Sequence, residues 1–180
     1  MQSSKAAEQR SHPITSSPHH LHIPTTMTTP IRIILADDHA LVLEGLRSML
    51  APEPDLTVIA TATDGERLLA AVGRFQPDVV VTDIQMPYMD GVAGVRRIRR
   101  QFPGVRILVL TAYSDPDTLR SVLESGADGL LLKTDPPEQT APAIRQVVSG
   151  QLVFPAAARR WLFQRETAVS TPILSPREQK

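Results

Sequence analysis

Five side chains, widely separated along the chain, carry the chemistry this sequence can support: Asp37, Asp38, Asp83, Thr111 and Lys133. Three carboxylates gathered in one place repel one another and require a proton or a cation at neutral pH. Donors that are all oxygen suit a hard cation. Mg²⁺ fits best, because it takes few carboxylates and keeps waters for a phosphate. Thr111 adds a neutral hydroxyl and Lys133 a mobile positive charge. Together they make a cradle for a dianionic group with three oxygens. A carboxylate facing that cradle can accept a phosphoryl group covalently. Asp83 stands alone and suits the nucleophile; the adjacent Asp37 and Asp38 suit the metal. The chemistry expected is in-line phosphoryl transfer, with positioning and charge neutralisation doing most of the work. A strand-ending Asp also simply caps a turn. Convergence of all five residues is what separates the two readings.

That convergence depends on the elements that carry them. Residues 79–81 (VVV) read as a short strand buried on both faces, with Asp83 just past its tip. Pro87 and Asp90-Gly91 make the next segment a loop. Residues 31–36 (IRIILA) form an earlier strand that ends at Asp37-Asp38. Leu41, Leu43, Leu46, Met49 and Leu50 follow at helical spacing until Pro52. Residues 56–61 read as a strand. Asp64-Gly65 opens a helix with Leu68, Leu69 and Val72 inward and Gly73 near its end. A helix over 92–102 carries Arg96, Arg97, Arg99 and Arg100, which read as a solvated face. Residues 105–110 make a strand tipped by Thr111. Ser114, with Asp117 three residues on, starts a helix that Gly126 stops. Residues 130–132 make a strand tipped by Lys133, and a last helix spans 138–148, ended by Gly150.

Strand and helix alternate five times. Such alternation means an α/β fold, a doubly wound five-stranded parallel sheet, because each parallel return requires a right-handed crossover. All five residues then share the carboxyl edge, where open α/β sheets bind their ligands. The alternation does not choose between the common strand orders.

The flanks are polar. Residues 1–30 are punctuated by Pro13, Pro18, Pro24 and Pro30 and read as a disordered tail. His19, His20 and His22 lie there without an acidic or cysteine partner and read as solvated. A translation start at Met27 would make everything upstream an extension of the reading frame. Residues 151–173 read as a linker, with a short helix over 155–163. Nineteen basic and nineteen acidic residues cancel, so net charge points to neither nucleic acid nor membrane. Cysteine is absent, which excludes thiolate metal sites. No apolar run approaches the roughly 20 residues of a membrane span, and the N-terminus lacks a secretory apolar core. A cytoplasmic protein is expected.

The strand tips read Ala36-Asp37-Asp38-His39, Thr82-Asp83-Ile84-Gln85-Met86-Pro87, Met89-Asp90-Gly91, Leu110-Thr111-Ala112 and Leu132-Lys133. In this order they resemble the receiver domain of two-component response regulators, over residues 31–150. The resemblance implies a flavodoxin-like receiver fold with sheet order 2-1-3-4-5. It implies phosphorylation of Asp83 from the phosphohistidine of a sensor histidine kinase. It makes Asp38 the main Mg²⁺ ligand, assisted by Asp37, Asp83 and the backbone carbonyl of Gln85. Thr111 would pair with the phosphoryl oxygens and shift on activation, and Lys133 would form an ion pair.

The finer spelling, with Ala143-Ile144-Arg145-Gln146-Val147-Val148-Ser149-Gly150, is similar to the NarL/LuxR-type subfamily. There a helix-turn-helix domain follows the receiver, and Leu174-Ser175-Pro176-Arg177-Glu178-Gln179 resembles its opening. Residues 174–180 are too few for two helices, so specific DNA binding is expected only through a missing C-terminal domain. Dimerisation is a further expected output. The family often places an aromatic three residues before the lysine, where this chain has Leu130. Alternatives are a receiver-like interaction module that is never phosphorylated, and a Mg²⁺-dependent aspartyl phosphohydrolase. The latter wants an acid where Gln85 stands. The chain is therefore expected to be no enzyme beyond its own phosphorylation and dephosphorylation.

Overall fold

The computed structural model describes residues 29–87 and 89–158. The elements run β1 (Ile31–Ala36), α1 (Ala40–Leu50), β2 (Leu56–Ala62), α2 (Gly65–Phe75), β3 (Val79–Thr82), β4 (Gln85–Met86), β5 (Met89–Asp90), α3 (Gly91–Gln101), β6 (Arg106–Thr111), α4 (Pro116–Glu124), β7 (Gly129–Leu132) and α5 (Thr140–Val148). The main sheet is five-stranded, in order β2-β1-β3-β6-β7, and every pairing in it is parallel. Counting main-sheet strands alone, that is the expected 2-1-3-4-5. β4 and β5 form a separate antiparallel pair. The expected loop is thus a small hairpin around Pro87, because the backbone on either side of the turn pairs with itself.

Alternation along each strand sends side chains to two cores. Ile34, Val80, Ile107, Val109 and Leu130 face α2, α3 and α4. Ile33, Leu35, Val79, Val81 and Leu108 face α1 and α5. Strands covered on both sides account for the unbroken apolar runs. Each fully buried Ile or Leu contributes about 2 kcal/mol of transfer free energy. A sheet packed this tightly holds its strand tips in a fixed array.

Several boundaries depart from expectation. The α4 cap is Asp115, not Ser114: its side chain accepts the Thr118 N–H at 2.9 Å, and Pro116 opens the helix. That hydrogen bond holds the Asp115 carboxyl below the usual aspartate value. α2 runs through Gly73 to Phe75 and closes on Gln76, at φ 45°. Gly73 lies inside the helix, with the Phe102 ring beside it. Residues 137–139 are a 3₁₀ turn, so α5 begins at Thr140 rather than Glu138. Leu41 turns outward, 84% exposed, while Leu43 and Leu50 are buried. Only residues 155–158 of the expected helix over 155–163 are described, with 156–158 as a 3₁₀ turn. The tail over 1–28, the rest of that helix and the segment over 174–180 lie outside the described residues. Among the described residues no helix is long and apolar enough to cross a membrane.

Arg145 of α5 ties that helix to the β1–β2 side of the sheet. Its guanidinium donates to Asp55 at 2.7 and 2.8 Å and also to Glu53. The hydrogen bond from Arg145 holds Asp55 below the ordinary carboxylate value. The three side chains are partly exposed, and solvent screening keeps their contribution small. Arg145→Ala is expected to cost about 1 kcal/mol or less in urea unfolding, with the loss shrinking in high salt.

Candidate functional site

The carboxyl edge of the main sheet gathers the predicted residues. Asp37 follows β1 and Asp83 follows β3, and both are buried. Neighbouring parallel strands bring the two tips side by side, with Ala36 paired to Thr82. The Asp83 N–H donates to the Ala36 carbonyl at 2.9 Å and locks the register one residue further. From the far strand β7, Lys133 reaches across: its Nζ donates to Asp37 Oδ2 at 2.6 Å and to Asp83 Oδ2 at 2.7 Å. One ammonium therefore neutralises two carboxylates drawn from positions 96 and 50 residues away.

Burial by itself would lower the Lys133 pKa. The hydrogen bonds to Asp37 and Asp83, with their charges, outweigh it, and the pKa lies above the ordinary lysine value of 10.5. The remaining carboxylate oxygens are also held. Asp37 Oδ1 accepts the His39 N–H at 2.9 Å, and Asp83 Oδ1 accepts the Gln85 N–H at 3.1 Å. Asp83 thus caps the turn that follows with one oxygen and pairs with Lys133 through the other.

Thr111 is fully buried at the tip of β6. Its carbonyl accepts the Lys133 N–H at 2.8 Å, and its hydroxyl accepts the Tyr113 N–H at 3.2 Å. The site thus meets Thr111 through the backbone of Lys133. Asp38 lies beside the pair but points toward His39, whose Nδ1 sits 2.9 Å from Asp38 Oδ1 and 3.2 Å from Asp37 Oδ1. Among the described residues, atoms of Asp37, Asp38 and His39 lie within 4.8 Å of one another, close enough to share a cation. The donor set is carboxylate oxygen with one imidazole beside it, and its acid pair fits a hard divalent ion. Gln85, exposed on β4, stands two residues after Asp83 and gives it its N–H.

Three residues that the sequence offers only as parts of its motifs also contribute. His39 stands at the head of α1 without capping it and contacts both acids; its adjacency to the pair was the available signal. Thr82, which is buried, donates from its hydroxyl to the Asp83 carbonyl at 2.8 Å and steadies the backbone there. Gly91 opens α3, with Asp90 capping it by accepting the Val92 N–H at 3.0 Å. A Cβ on Gly91 would stand 2.0 Å from the Ile84 carbonyl oxygen and 2.2 Å from its Cα. The loop behind Asp83 can therefore close only over a glycine. Gly91→Ala is expected to destabilise the chain by about 3 kcal/mol and to displace Asp83 from Lys133. A urea midpoint unchanged from the parent would contradict this.

The other side chains singled out take ordinary places. Leu130 is buried against the α4 side of the sheet together with Leu119 and Val122. Tyr113 is 44% exposed. Arg99 is not a free surface charge: it donates to the carbonyls of Gly126, Pro103 and Val105 and pairs with Asp128.

Comparison with known proteins agrees with this geometry. Residues 33–145 match the family profile of the response regulator receiver domain. The chain is 38% identical over 120 residues to the transcriptional regulatory protein DegU of Brevibacillus brevis, covering 67% of this chain and 51% of DegU. It is 39% identical over 122 residues to the oxygen regulatory protein NreC of Staphylococcus epidermidis, covering 67% of this chain and 56% of NreC. It thus spans a little over half the length of these relatives. The isolated receiver domain of RcsB from Salmonella enterica superposes with a TM-score of 0.68 at 30% identity, over 73% of this chain and 98% of that one. The receiver domain of NarL from Mycobacterium tuberculosis gives 0.66 at 29% identity, over 69% and 100%. By fold, strand-tip residues and sequence together, this chain belongs to the response regulator receiver domain family, of the NarL/LuxR type.

Proposed function

We propose that Asp83 accepts a phosphoryl group from the phosphohistidine of a sensor histidine kinase. The P–N bond to the imidazole breaks and a P–O bond to the Asp83 carboxylate forms, so that an acyl phosphate replaces the free carboxylate. The observation that carries this reading is the single Lys133 ammonium bridging buried Asp37 and Asp83. Such a group is placed to pass from a carboxylate oxygen to a phosphoryl oxygen without crossing solvent. Asp37, Asp38 and the Gln85 carbonyl would hold Mg²⁺, which would neutralise charge on the transferring group. Thr111 would offer its hydroxyl to a phosphoryl oxygen once the Tyr113 amide is released.

The acyl phosphate carries about two negative charges where the free carboxylate carried one, and this change at one sheet edge biases a pre-existing two-state equilibrium. The output we assign is control of transcription, by dimerisation or through a DNA-binding segment beginning near Leu174. Related RcsB has been seen as dimers bound to DNA. The test is incubation of the full chain with acetyl phosphate, read by intact mass. One phosphoryl group should appear with Mg²⁺ and none with a chelator. No uptake in either condition would leave an interaction module in its place.

A further inference from the structure

After α5 the chain does not leave the domain. Residue 153 returns to the outer edge of the sheet and pairs in parallel with Gly129 at the start of β7. Val153 donates its N–H to the Asp128 carbonyl at 3.1 Å, and its carbonyl accepts the Leu130 N–H at 2.7 Å. Phe154 packs against the core shared by Leu119, Val122 and Leu130. Residues 156–158 then lie on α4, with Ala158 fully buried. A segment that covers the β7 edge, satisfies its backbone and buries side chains is built, not incidental.

The sequence makes room for it. A Cβ on Gly129 would stand 2.9 Å from the Val153 carbonyl oxygen and 2.9 Å from Leu108 Cδ1. Only a residue without a side chain lets the returning segment come this close. Asp128 anchors the same corner. Its carboxylate accepts the Ile107 N–H at 2.8 Å and pairs with Arg106 and Arg99, while its carbonyl holds Val153.

Both elements that the segment grips are tied to the site. β7 is four residues long. Lys133 stands at one end of it, bonded to Asp83 and Asp37, and the Val153 contact is at the other. α4 follows the Thr111–Tyr113 turn and packs on Leu130 through Leu119 and Val122. We infer that residues 152–158 form a strap that reads the state of the Asp83–Lys133 site, held down when Asp83 is free and loosened when it is phosphorylated. The juxtaposition that carries the inference is a buried Leu130 whose side chain meets α4 and whose N–H holds the strap. The signal to the chain beyond residue 158 thus runs through backbone pairing and aliphatic packing, and needs no aromatic at position 130. A covalent change at one end of a short, rigid strand biases contacts at its other end, because packed elements shift between discrete arrangements.

This rests on the phosphoacceptor reading, and the test separates the two. The full chain is treated with acetyl phosphate and Mg²⁺. Phosphoryl uptake is read by intact mass, and amide hydrogen exchange is followed in peptides covering residues 128–133 and 151–158. The expected result is exchange about tenfold faster at Leu130 and Val153 in the phosphorylated chain. In Val153→Pro, which lacks the N–H given to Asp128, the Leu130 amide should exchange fast before phosphorylation and gain nothing from it. Uptake with unchanged exchange at both amides would overturn the strap while leaving Asp83 as acceptor. Slow Leu130 exchange in Val153→Pro would overturn it too. Absence of uptake would remove the phosphoacceptor reading, and the strap's switching with it.

Discussion

Asp83→Asn is expected to abolish phosphoryl uptake from acetyl phosphate entirely, while stability stays within about 1 kcal/mol of the parent. An amide oxygen can still accept the Gln85 N–H, now bonded at 3.1 Å, so the loop keeps its shape. It cannot form an acyl phosphate. Lys133 loses one charged partner but keeps Asp37 at 2.6 Å. The same change removes repulsion between two buried acids, so the energetic terms offset. The result is a folded chain with a dead acceptor, a combination that a merely structural carboxylate would not give. Retained labelling of the asparagine variant, with the phosphoryl group mapped to another residue, would end the assignment.

The second large effect is expected at Lys133. Lys133→Ala leaves Asp37 and Asp83 buried, adjacent and uncompensated. Removing one partner of a buried ion pair costs more than the pair itself contributes, and here roughly 2 kcal/mol should be lost at neutral pH in a chelating buffer. Mg²⁺ supplies the missing charge. Saturation at about a hundred times the dissociation constant adds about 2.7 kcal/mol, and the freed carboxylates should bind the ion more tightly than in the parent. The Mg²⁺-induced rise in melting midpoint should therefore be larger in Lys133→Ala than in the parent. An equal rise in both would mean that the ion does not use these acids.

The same lysine sets an alkaline limit. Its folded-state pKa lies above the ordinary value. Its share of stability is therefore fully present below the ordinary lysine value of 10.5 and is lost as pH climbs through the raised value. The parent should lose midpoint on this alkaline limb, and Lys133→Ala, with nothing left to lose there, should follow a flatter one.

These expectations differ in how visible they are without coordinates. The fold class and the position of each acid were legible because they depend on local signals. Apolar runs such as VVV at 79–81 specify strands covered on both faces, and a parallel sheet places every strand end on one edge. Asp37, Asp83 and Lys133 met for that reason, while Thr111 joins them through the backbone of Lys133, its hydroxyl held by the Tyr113 amide. Caps were legible where the residue stood alone, as Asp64 does. They were ambiguous where Ser114 and Asp115 competed, since either oxygen reaches a helix amide and only the entry angle of the chain decides. Leu41 fits the helical spacing of its neighbours, yet among the described residues it stands exposed.

What the tertiary structure alone decided is contact between segments distant in sequence. Lys133 bridging two acids, the backbone of Ile84 pressing on Gly91, and residue 153 returning to Gly129 have no local signature. A glycine in the sequence says that a side chain is missing, not which chain fills the space. Periodicity tells which face of an element is buried, because that follows from its own geometry. It does not tell what lies against that face, because the partner is chosen by the packing of the whole molecule.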